Sequence, residues 1–164
     1  MKVFTVGAAG AGKTTVCRLL RVIEGLSVLD MDDEIMRLSG VVWPDIPTKV
    51  DVIEPQIIKA VCAMPEVLLF YSGMQIDRMH RLREIGFRTV LLDVSEEVLR
   101  ERHKKRKAEE GWDNSQWIDR NQGVIRELWD AGLFDHVISG EQAPECVAEE
   151  LLAYARETPS GVTS

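Results

Sequence analysis

The sequence predicts an α/β fold in which helices cover both faces of a parallel β-sheet. Short apolar runs typical of buried strands alternate along the chain with longer stretches whose apolar residues recur at helical spacing. The 164 residues, 45% of them apolar, are enough for one hydrophobic core. We therefore expect a single domain over residues 1–157, followed by a short, polar and flexible tail at 158–164.

The elements follow from local composition. Strands are predicted where β-branched, aliphatic or aromatic residues dominate a short run, at 3–6, 27–30, 67–71, 89–93 and 136–138. Helices are predicted where apolar residues recur every third or fourth position, at 13–24, 32–39, 51–64, 75–85, 95–110, 115–131 and 143–156. Residues 41–48 are predicted to form a loop, because Pro44 and Pro47 disfavour a regular element there.

The loop after the first strand fits the pattern G-x-x-x-x-G-K-[ST], whose backbone N–H groups surround a phosphate. Small side chains let this backbone come close to the phosphate, and the positive end of the next helix attracts the same anion. Lys13 is expected to reach the β- and γ-phosphates, and Thr14 to offer its hydroxyl to Mg²⁺. The alternative, a Gly-rich turn with an incidental lysine, is disfavoured by the flanking strand and helix. The predicted nucleotide-binding residues of this loop are Gly7, Ala8, Ala9, Gly10, Ala11, Gly12, Lys13, Thr14 and Thr15.

Two aspartates follow the second predicted strand. In extended backbone Asp30 and Asp32 would project to the same side, at the carboxyl edge of the sheet, where ligands of open α/β folds bind. We therefore expect at least one of them to take part in catalysis. The alternative is that Asp32 caps the next helix, while Asp33 and Glu34 interact with its positive end.

These residues resemble the small P-loop kinases, and most of all the branch of the shikimate and gluconate kinases. That branch has a similar loop ending in G-K-T-T or G-K-S-T. It also has an aspartate, spacer, aspartate pair after the second strand, and a glycine such as Gly40 at the end of the next helix. The resemblance implies a P-loop NTPase fold with five parallel strands in the order 2-3-1-4-5 and a mobile lid after the fourth strand.

The same resemblance implies roles for individual residues. Asp30 would hold Mg²⁺, partly through water, and Asp32 would contact the acceptor hydroxyl and orient or deprotonate it. Gly73, after the third strand, would lie beside the substrate, where the family has a Gly-rich turn. Shikimate kinases carry an arginine for the substrate carboxylate in the helix before that strand. Residues 51–59 contain no arginine here, which disfavours shikimate as the acceptor.

The candidate lid spans about residues 100–114 and begins with a run of basic side chains. Positioned arginines stabilise the charge that develops on a transferring phosphoryl group. Arg102 and Arg106 are four residues apart, on one face of a helix, and paired lid arginines of the similar nucleotide kinases stack on adenine or touch the phosphates. Both are therefore predicted to be catalytic, and Arg102 also to bind nucleotide. The alternative, a solvated basic helix end, is expected for His103 and the adjacent lysines.

The acidic composition narrows the range of partners. Lys and Arg number 20 against 27 Asp and Glu, which gives a net charge of −7. This charge disfavours binding to duplex nucleic acid or to an anionic membrane and favours a small-molecule acceptor. The chain starts with a predicted strand, without the apolar stretch of a signal peptide, and no apolar run is long enough to span a membrane. We expect a cytoplasmic protein.

The leading hypothesis is an enzyme that moves the γ-phosphoryl group of ATP, with Mg²⁺, to a hydroxyl or phosphate of a small acceptor. A sugar acid, a nucleoside or a nucleotide would fit that description. One alternative is a kinase acting on a nucleic-acid end or a modified base in DNA, which the basic run after residue 100 leaves open. Another is a P-loop ATPase or nucleotide switch. The third strand, however, leads into Ser72 and Gly73, where such proteins usually place an acidic residue.

Overall fold

A five-stranded parallel sheet forms the centre of the computed structural model, which describes residues 1–111, 113 and 115–157. The predicted tail at 158–164 and two positions of the predicted lid, Trp112 and Asn114, lie outside these residues. The strands are β1 Lys2–Gly7, β2 Val28–Asp30, β3 Val67–Tyr71, β4 Arg88–Asp93 and β5 His136–Ser139. Their order is β2-β3-β1-β4-β5, and every neighbouring pair is parallel. The predicted fold class and strand order are confirmed.

Helices connect the strands and cover the sheet. They are α1 Lys13–Leu20, α2 Met31–Ser39, α3 Glu54–Cys62, α4 Ile76–Glu84, α5 Glu96–Glu110, α6 Gln116–Asp130 and α7 Pro144–Arg156. A π-helical segment, Thr48–Ile53, directly precedes α3. Within the described ranges, no helix is both long and apolar enough to cross a membrane.

The core consists of two apolar clusters, one on each face of the sheet. Neighbouring residues of β1 point to opposite faces, so Val3 belongs to one cluster and Phe4 to the other. Helices α1, α5 and α7 pack on the first face, and α2, α3 and α4 on the second. Helix α6 reaches both, with Ile118 in the first cluster and Leu128 in the second. This helix therefore crosses the end of the sheet where the predicted site lies.

Two element boundaries differ from the sequence prediction. The helix predicted at 13–24 ends at Leu20, because the N–H of Ile23 bonds the carbonyl of Leu20 in a tighter turn. The loop predicted to extend to residue 48 ends earlier. Asp45 starts the helical segment, since its side chain accepts the N–H of Thr48 at 2.8 Å and its carbonyl accepts the N–H of Lys49 at 2.9 Å.

Leu69→Ala tests how far the sheet depends on its second face. Leu69 is fully buried in β3, so its truncation is expected to lower the free energy of unfolding by about 2–5 kcal/mol. Val22→Ala is the control, because Val22 is 83% exposed and should change that energy by less than about 0.5 kcal/mol. Urea unfolding of both variants measures the difference, and equal losses would contradict the assigned packing.

Candidate active site

The loop between β1 and α1 has the shape that its motif predicts. Gly10 and Gly12 adopt left-handed φ angles of 86° and 96°, which glycine enters at little cost. A Cβ on Gly10 would also lie 3.0 Å from Nε2 of His103, so a side chain there would require His103 to shift. Helix α1 begins at Lys13, directly after the loop, and its positive end faces the bare backbone.

Lys13 folds back over the loop. Its side chain is buried, and Nζ donates to the carbonyl oxygens of Gly7 at 2.6 Å and Ala8 at 2.9 Å. Burial lowers the pKa of this ammonium to about 8, while the carboxylates of Asp32 and Asp30 act in the opposite direction. The two carbonyl bonds keep the ammonium at the loop that would hold a phosphate.

Thr14 and Asp30 meet between α1 and the end of β2. Oγ1 of Thr14 donates to Oδ2 of Asp30 at 3.1 Å, and a hydroxyl and a carboxylate are the hard oxygen ligands that Mg²⁺ prefers. In the part of the chain that the structure describes, no group of three or more His, Cys, Asp or Glu side chains could hold a metal ion by itself. The pair therefore suits a Mg²⁺ that takes its remaining oxygens from phosphate and water.

The prediction that Asp30 and Asp32 share one side of an extended segment was wrong, although the charge of Asp30 does act on Asp32. Helix α2 begins at Met31, so Asp32 stands in its first turn and not in extended backbone. The cap is Asp30, not Asp32, because Oδ1 of Asp30 accepts the N–H of Asp32 at 3.0 Å. Asp30 thus fixes the start of α2 with one oxygen and bonds Thr14 with the other.

The carboxyl group of Asp32 titrates above its ordinary range. Burial is the main cause of its raised pKa, and the neighbouring charge of Asp30 adds to it. The ammonium groups of Lys13 and Lys49 lower the same pKa, so both lie near this carboxylate. The charges of Lys13, on the phosphate-binding loop side, and of Lys49 therefore both act on Asp32.

A buried polar cluster that the sequence analysis missed lies beyond Asp32. Its centre is Glu54, the first residue of α3, which is only 4% exposed. The hydroxyl of Tyr71 donates to Oε1 of Glu54 at 2.6 Å, and Nη1 of Arg78 donates to Oε2 at 2.7 Å. Nζ of Lys49 lies 4.0 Å from Oε1. Burial and the charge of Glu54 raise the pKa of Tyr71, which keeps its hydroxyl a hydrogen-bond donor.

Lys49 also lies against two aromatic rings. Its Nζ is 5.3 Å from the ring centroid of Trp43 and 5.2 Å from that of Tyr71. The position of Tyr71 as the last residue of β3 is a signal that could have identified this cluster, since strand ends meet at the ligand edge. Arg78 gave no such signal, because α4 carries further arginines at 81 and 83. The guanidinium of Arg78 therefore lies beside Glu54, although residues 51–59 themselves contain no arginine.

Gly73 follows β3 at the same edge of the sheet. Its φ of 120° favours glycine, and a Cβ at this position would lie 2.8 Å from Cγ1 of Val124 on α6. The close approach shows that α6 packs directly against this turn. The expected contact between Gly73 and substrate stays a prediction.

The two predicted lid arginines line a cavity next to the phosphate-binding loop, and their roles in nucleotide binding and catalysis stay predictions. The guanidinium of Arg102 donates to the carbonyl oxygens of Gly10 at 3.1 Å and Gly140 at 2.9 Å, and so joins the phosphate-binding loop to the turn after β5. The charge of Arg106 lowers the pKa of Lys13, which places Arg106 near that ammonium. This cavity, of about 370 Å³, lies next to both arginines. Its lining includes Gly12, Thr15, Arg102, Arg106, Pro144 and Val147.

Helices α5 and α6 hold Ala9 from both sides. His103 is buried, and its Nε2 lies 3.0 Å from the carbonyl oxygen of Ala9. Because a carbonyl can only accept, Nε2 carries the proton in this contact. The expectation of a solvated His103 is wrong, since α5 packs over the loop at this point. Oδ1 of Asn121 accepts the N–H of Ala9 at 2.8 Å, a contact 112 residues apart in sequence that no local pattern indicates.

A larger cavity, of about 770 Å³, lies elsewhere on the molecule. Its lining includes Met1, Lys2, Leu26, Pro65, Gly86 and Leu152. Since Met1 and Lys2 stand at the start of β1 and Pro65 just before β3, this cavity is at the amino edge of the sheet. It contains none of the predicted site residues.

The phosphate-binding loop lies within a region that matches a known protein family. The model of the AAA_18 family, described as an AAA domain, matches residues 3–121. The chain belongs to this AAA domain family. The matched part of the AAA domain contains the phosphate-binding loop, the two aspartates, the Glu54 cluster, and Asn121 as its last residue. No curated protein matches the chain.

Two solved structures with a similar fold are a shikimate kinase and a gluconokinase by their names. Shikimate kinase from Acinetobacter baumannii in complex with shikimate is 23% identical, with a TM-score of 0.70 over 93% of this chain and 91% of that chain. A gluconokinase from Sinorhizobium meliloti 1021 is 18% identical, with a TM-score of 0.64 over 94% and 90%. The AAA domain of this chain therefore has the fold of the small P-loop kinases, as its sequence predicted.

Replacing Lys13 by methionine tests its phosphate contact and keeps most of the aliphatic stem. At a MgADP concentration 100 times its dissociation constant, the wild-type protein should gain about 2.7 kcal/mol of stability, whereas Lys13→Met should gain none. Thermal unfolding with and without MgADP measures this. Lys104→Met, a change at an exposed lysine of α5, should keep the full gain. A ligand-induced rise in melting temperature that survives in Lys13→Met would refute the assignment.

Asn121→Ala tests whether α6 fixes the shape of the phosphate-binding loop. Loss of one hydrogen bond, worth about 1 kcal/mol, should weaken MgADP binding by about fivefold to tenfold. Isothermal titration calorimetry measures the affinity, with Glu127→Ala, at an exposed position of the same helix, as the control. Equal affinities in the two variants would show that the contact with Ala9 has no part in nucleotide binding.

Proposed function

We propose that this protein transfers the γ-phosphoryl group of ATP to a hydroxyl of a small acceptor. The observation that carries the proposal is the juxtaposition of a complete phosphate-binding loop with Asp32, a second carboxylate beyond the Thr14 and Asp30 pair. A P-loop ATPase or nucleotide switch usually places its acidic residue at the end of the third strand, where this chain has Ser72 and Gly73. The kinase names of the similar structures support the same reading.

The nucleotide side is assigned to the loop and the lid arginines. The N–H groups around Gly10 and Gly12 and the ammonium of Lys13 bind the phosphates, while Arg102 and Arg106 lie beside the cavity that would receive the rest of the nucleotide. Thr14 and Asp30 would hold Mg²⁺, which neutralises phosphate charge during the transfer. A cytoplasmic protein would have ATP and Mg²⁺ at hand.

Asp32 is assigned to the acceptor hydroxyl. The hydroxyl oxygen forms a bond to the γ-phosphorus, and the bond from that phosphorus to the β–γ bridging oxygen breaks, leaving its electron pair on ADP. The hydroxyl proton passes to the carboxylate of Asp32. A raised pKa makes this carboxylate a stronger base than an ordinary aspartate, and Arg106 and Lys13 stabilise the charge on the transferred group.

Nucleic acid is the less favoured acceptor. The basic run of α5 carries acidic partners that reduce its field: Arg100 lies 2.7 Å from Glu96 and 2.8 Å from Asp119, and Lys107 lies 2.9 Å from Asp113. Together with the net charge of −7, these ion pairs support a free small molecule over a polyanion.

Asp30→Asn and Asp32→Asn should differ in kind. Asp32→Asn should leave ATP affinity nearly unchanged and lower turnover by about 10²-fold or more, the scale of a lost general base, whereas Asp30→Asn should raise the Mg²⁺ concentration needed for activity. Acceptor-dependent ADP formation measures both, first on a panel of sugar acids, nucleosides and nucleotides. Asp33→Asn, at an exposed residue paired with Arg21, is the control.

Two outcomes would contradict the proposal. ADP formation at the same rate with and without every acceptor would identify a plain ATPase. Near-wild-type turnover in both Asp30→Asn and Asp32→Asn would show that these carboxylates serve only the start of α2.

A further inference from the structure

The connection between α2 and the π-helical segment, called here the loop although its residues after Asp45 are already helical, is unusually apolar for a protein surface. Residues 41–47 read Val-Val-Trp-Pro-Asp-Ile-Pro, and their large side chains face solvent. The exposed fractions are 80% for Val41, 71% for Val42, 47% for Trp43 and 54% for Ile46. The one ionisable side chain of the loop, Asp45, already caps the next segment through the N–H of Thr48. The loop therefore offers hydrocarbon, and few hydrogen-bonding side chains, to whatever it faces.

The backbone of this loop is also strained. Val41 has a φ of 74° and is the only non-glycine residue with a positive φ in the described part of the chain. A β-branched side chain is disfavoured in this region, and strain of this kind clusters at ligand-binding segments. Val41 follows Gly40, which ends α2 with a φ of 77°. Two consecutive residues with left-handed backbone thus lead into the loop.

The apolar loop is continuous with the acceptor side of the active site. The ring of Trp43 lies over the ammonium of Lys49, and the same ammonium lies over the ring of Tyr71 at the end of β3. The charge of Lys49 also acts on Asp32. A molecule whose hydroxyl reaches Asp32 and whose body extends past Lys49 would therefore meet Trp43 and the residues around it.

From this geometry we infer that the acceptor carries an apolar body at least as large as one ring, which lies on residues 41–47. The inference rests on the proposed function, because it names the acceptor class of the same site. An apolar body gains from leaving water against Val41, Val42 and Trp43. A sugar acid or polyol would instead bury several hydroxyls against hydrocarbon without partners, which is unfavourable.

The first test compares two groups of acceptors for ADP formation. Gluconate and shikimate form the polar group. 2-Phenylethanol and cyclohexylmethanol carry one hydroxyl on an apolar, ring-containing body and form the other. The inference predicts that at least one member of the second group has a kcat/KM ten or more times that of either polar acid. A polar acid as the best acceptor would overturn it.

The second test uses the best acceptor of that panel. Trp43→Ala should raise the KM for this acceptor about tenfold and leave the KM for ATP unchanged, and Trp43→Phe should restore most of the loss. Val42→Ser should raise the acceptor KM about threefold. Val22→Ser is the matched control, because Val22 is exposed like Val42 but lies in the turn after α1, and it should change neither constant. Thermal unfolding shows whether each variant is folded.

The outcomes separate this inference from the proposed function. If Trp43→Ala leaves the KM of a working acceptor unchanged, the apolar-body inference is wrong and the kinase assignment stands. If no acceptor of either group, and no member of the earlier panel of sugar acids, nucleosides and nucleotides, increases ADP formation, both are wrong. If Trp43→Ala or Val42→Ser converts a dimer into a monomer in size-exclusion chromatography, the loop is covered by a second copy of the chain, and the inference is wrong.

Discussion

Parallel pairing of β1 with β3, and of β3 with β2, brings the site together. In this register Val6 lies opposite Tyr71, and Asp30 opposite Phe70, so three strands end at nearly the same level. The phosphate-binding loop follows the end of β1, the capping residue Asp30 is the last residue of β2, and Tyr71 of the Glu54 cluster is the last residue of β3. An antiparallel strand in the same place would send its carboxyl end to the opposite edge, and the loop and the acceptor side would no longer face each other.

The features that the sequence could predict are those coded within a few neighbouring residues. The phosphate-binding loop needs glycine at fixed positions for backbone reasons, and those positions can be read directly. Glu54 looks like an ordinary acidic residue at a helix start, and Asn121 like a polar residue on a helix surface. Their roles depend on packing partners 17 and 112 positions away. The start of α2 was misjudged because either Asp30 or Asp32 could have capped it.

Contacts between the phosphate-binding loop and helices α5 and α6 limit which part of the predicted lid can move. Arg102 bonds Gly10 and Gly140, His103 contacts Ala9 through its carbonyl, and Asn121 holds the N–H of Ala9. A movement of α5 and α6 as a whole, away from the phosphate-binding loop, would break all of these contacts together. A closing motion that keeps these contacts is therefore confined to the part of the predicted lid after His103.

The loop at residues 41–47 contributes no side chain to either apolar cluster of the core. Substitutions of its exposed Val42 and Ile46 side chains therefore have little effect on the free energy of unfolding, unlike changes at Gly73, where a Cβ would collide with Val124. Natural variation can accumulate in the loop without harming the scaffold or the phosphate-binding residues. Under the proposed function, chains that share this phosphate-binding loop and differ at residues 41–47 would differ in acceptor while holding the phosphoryl donor in the same way.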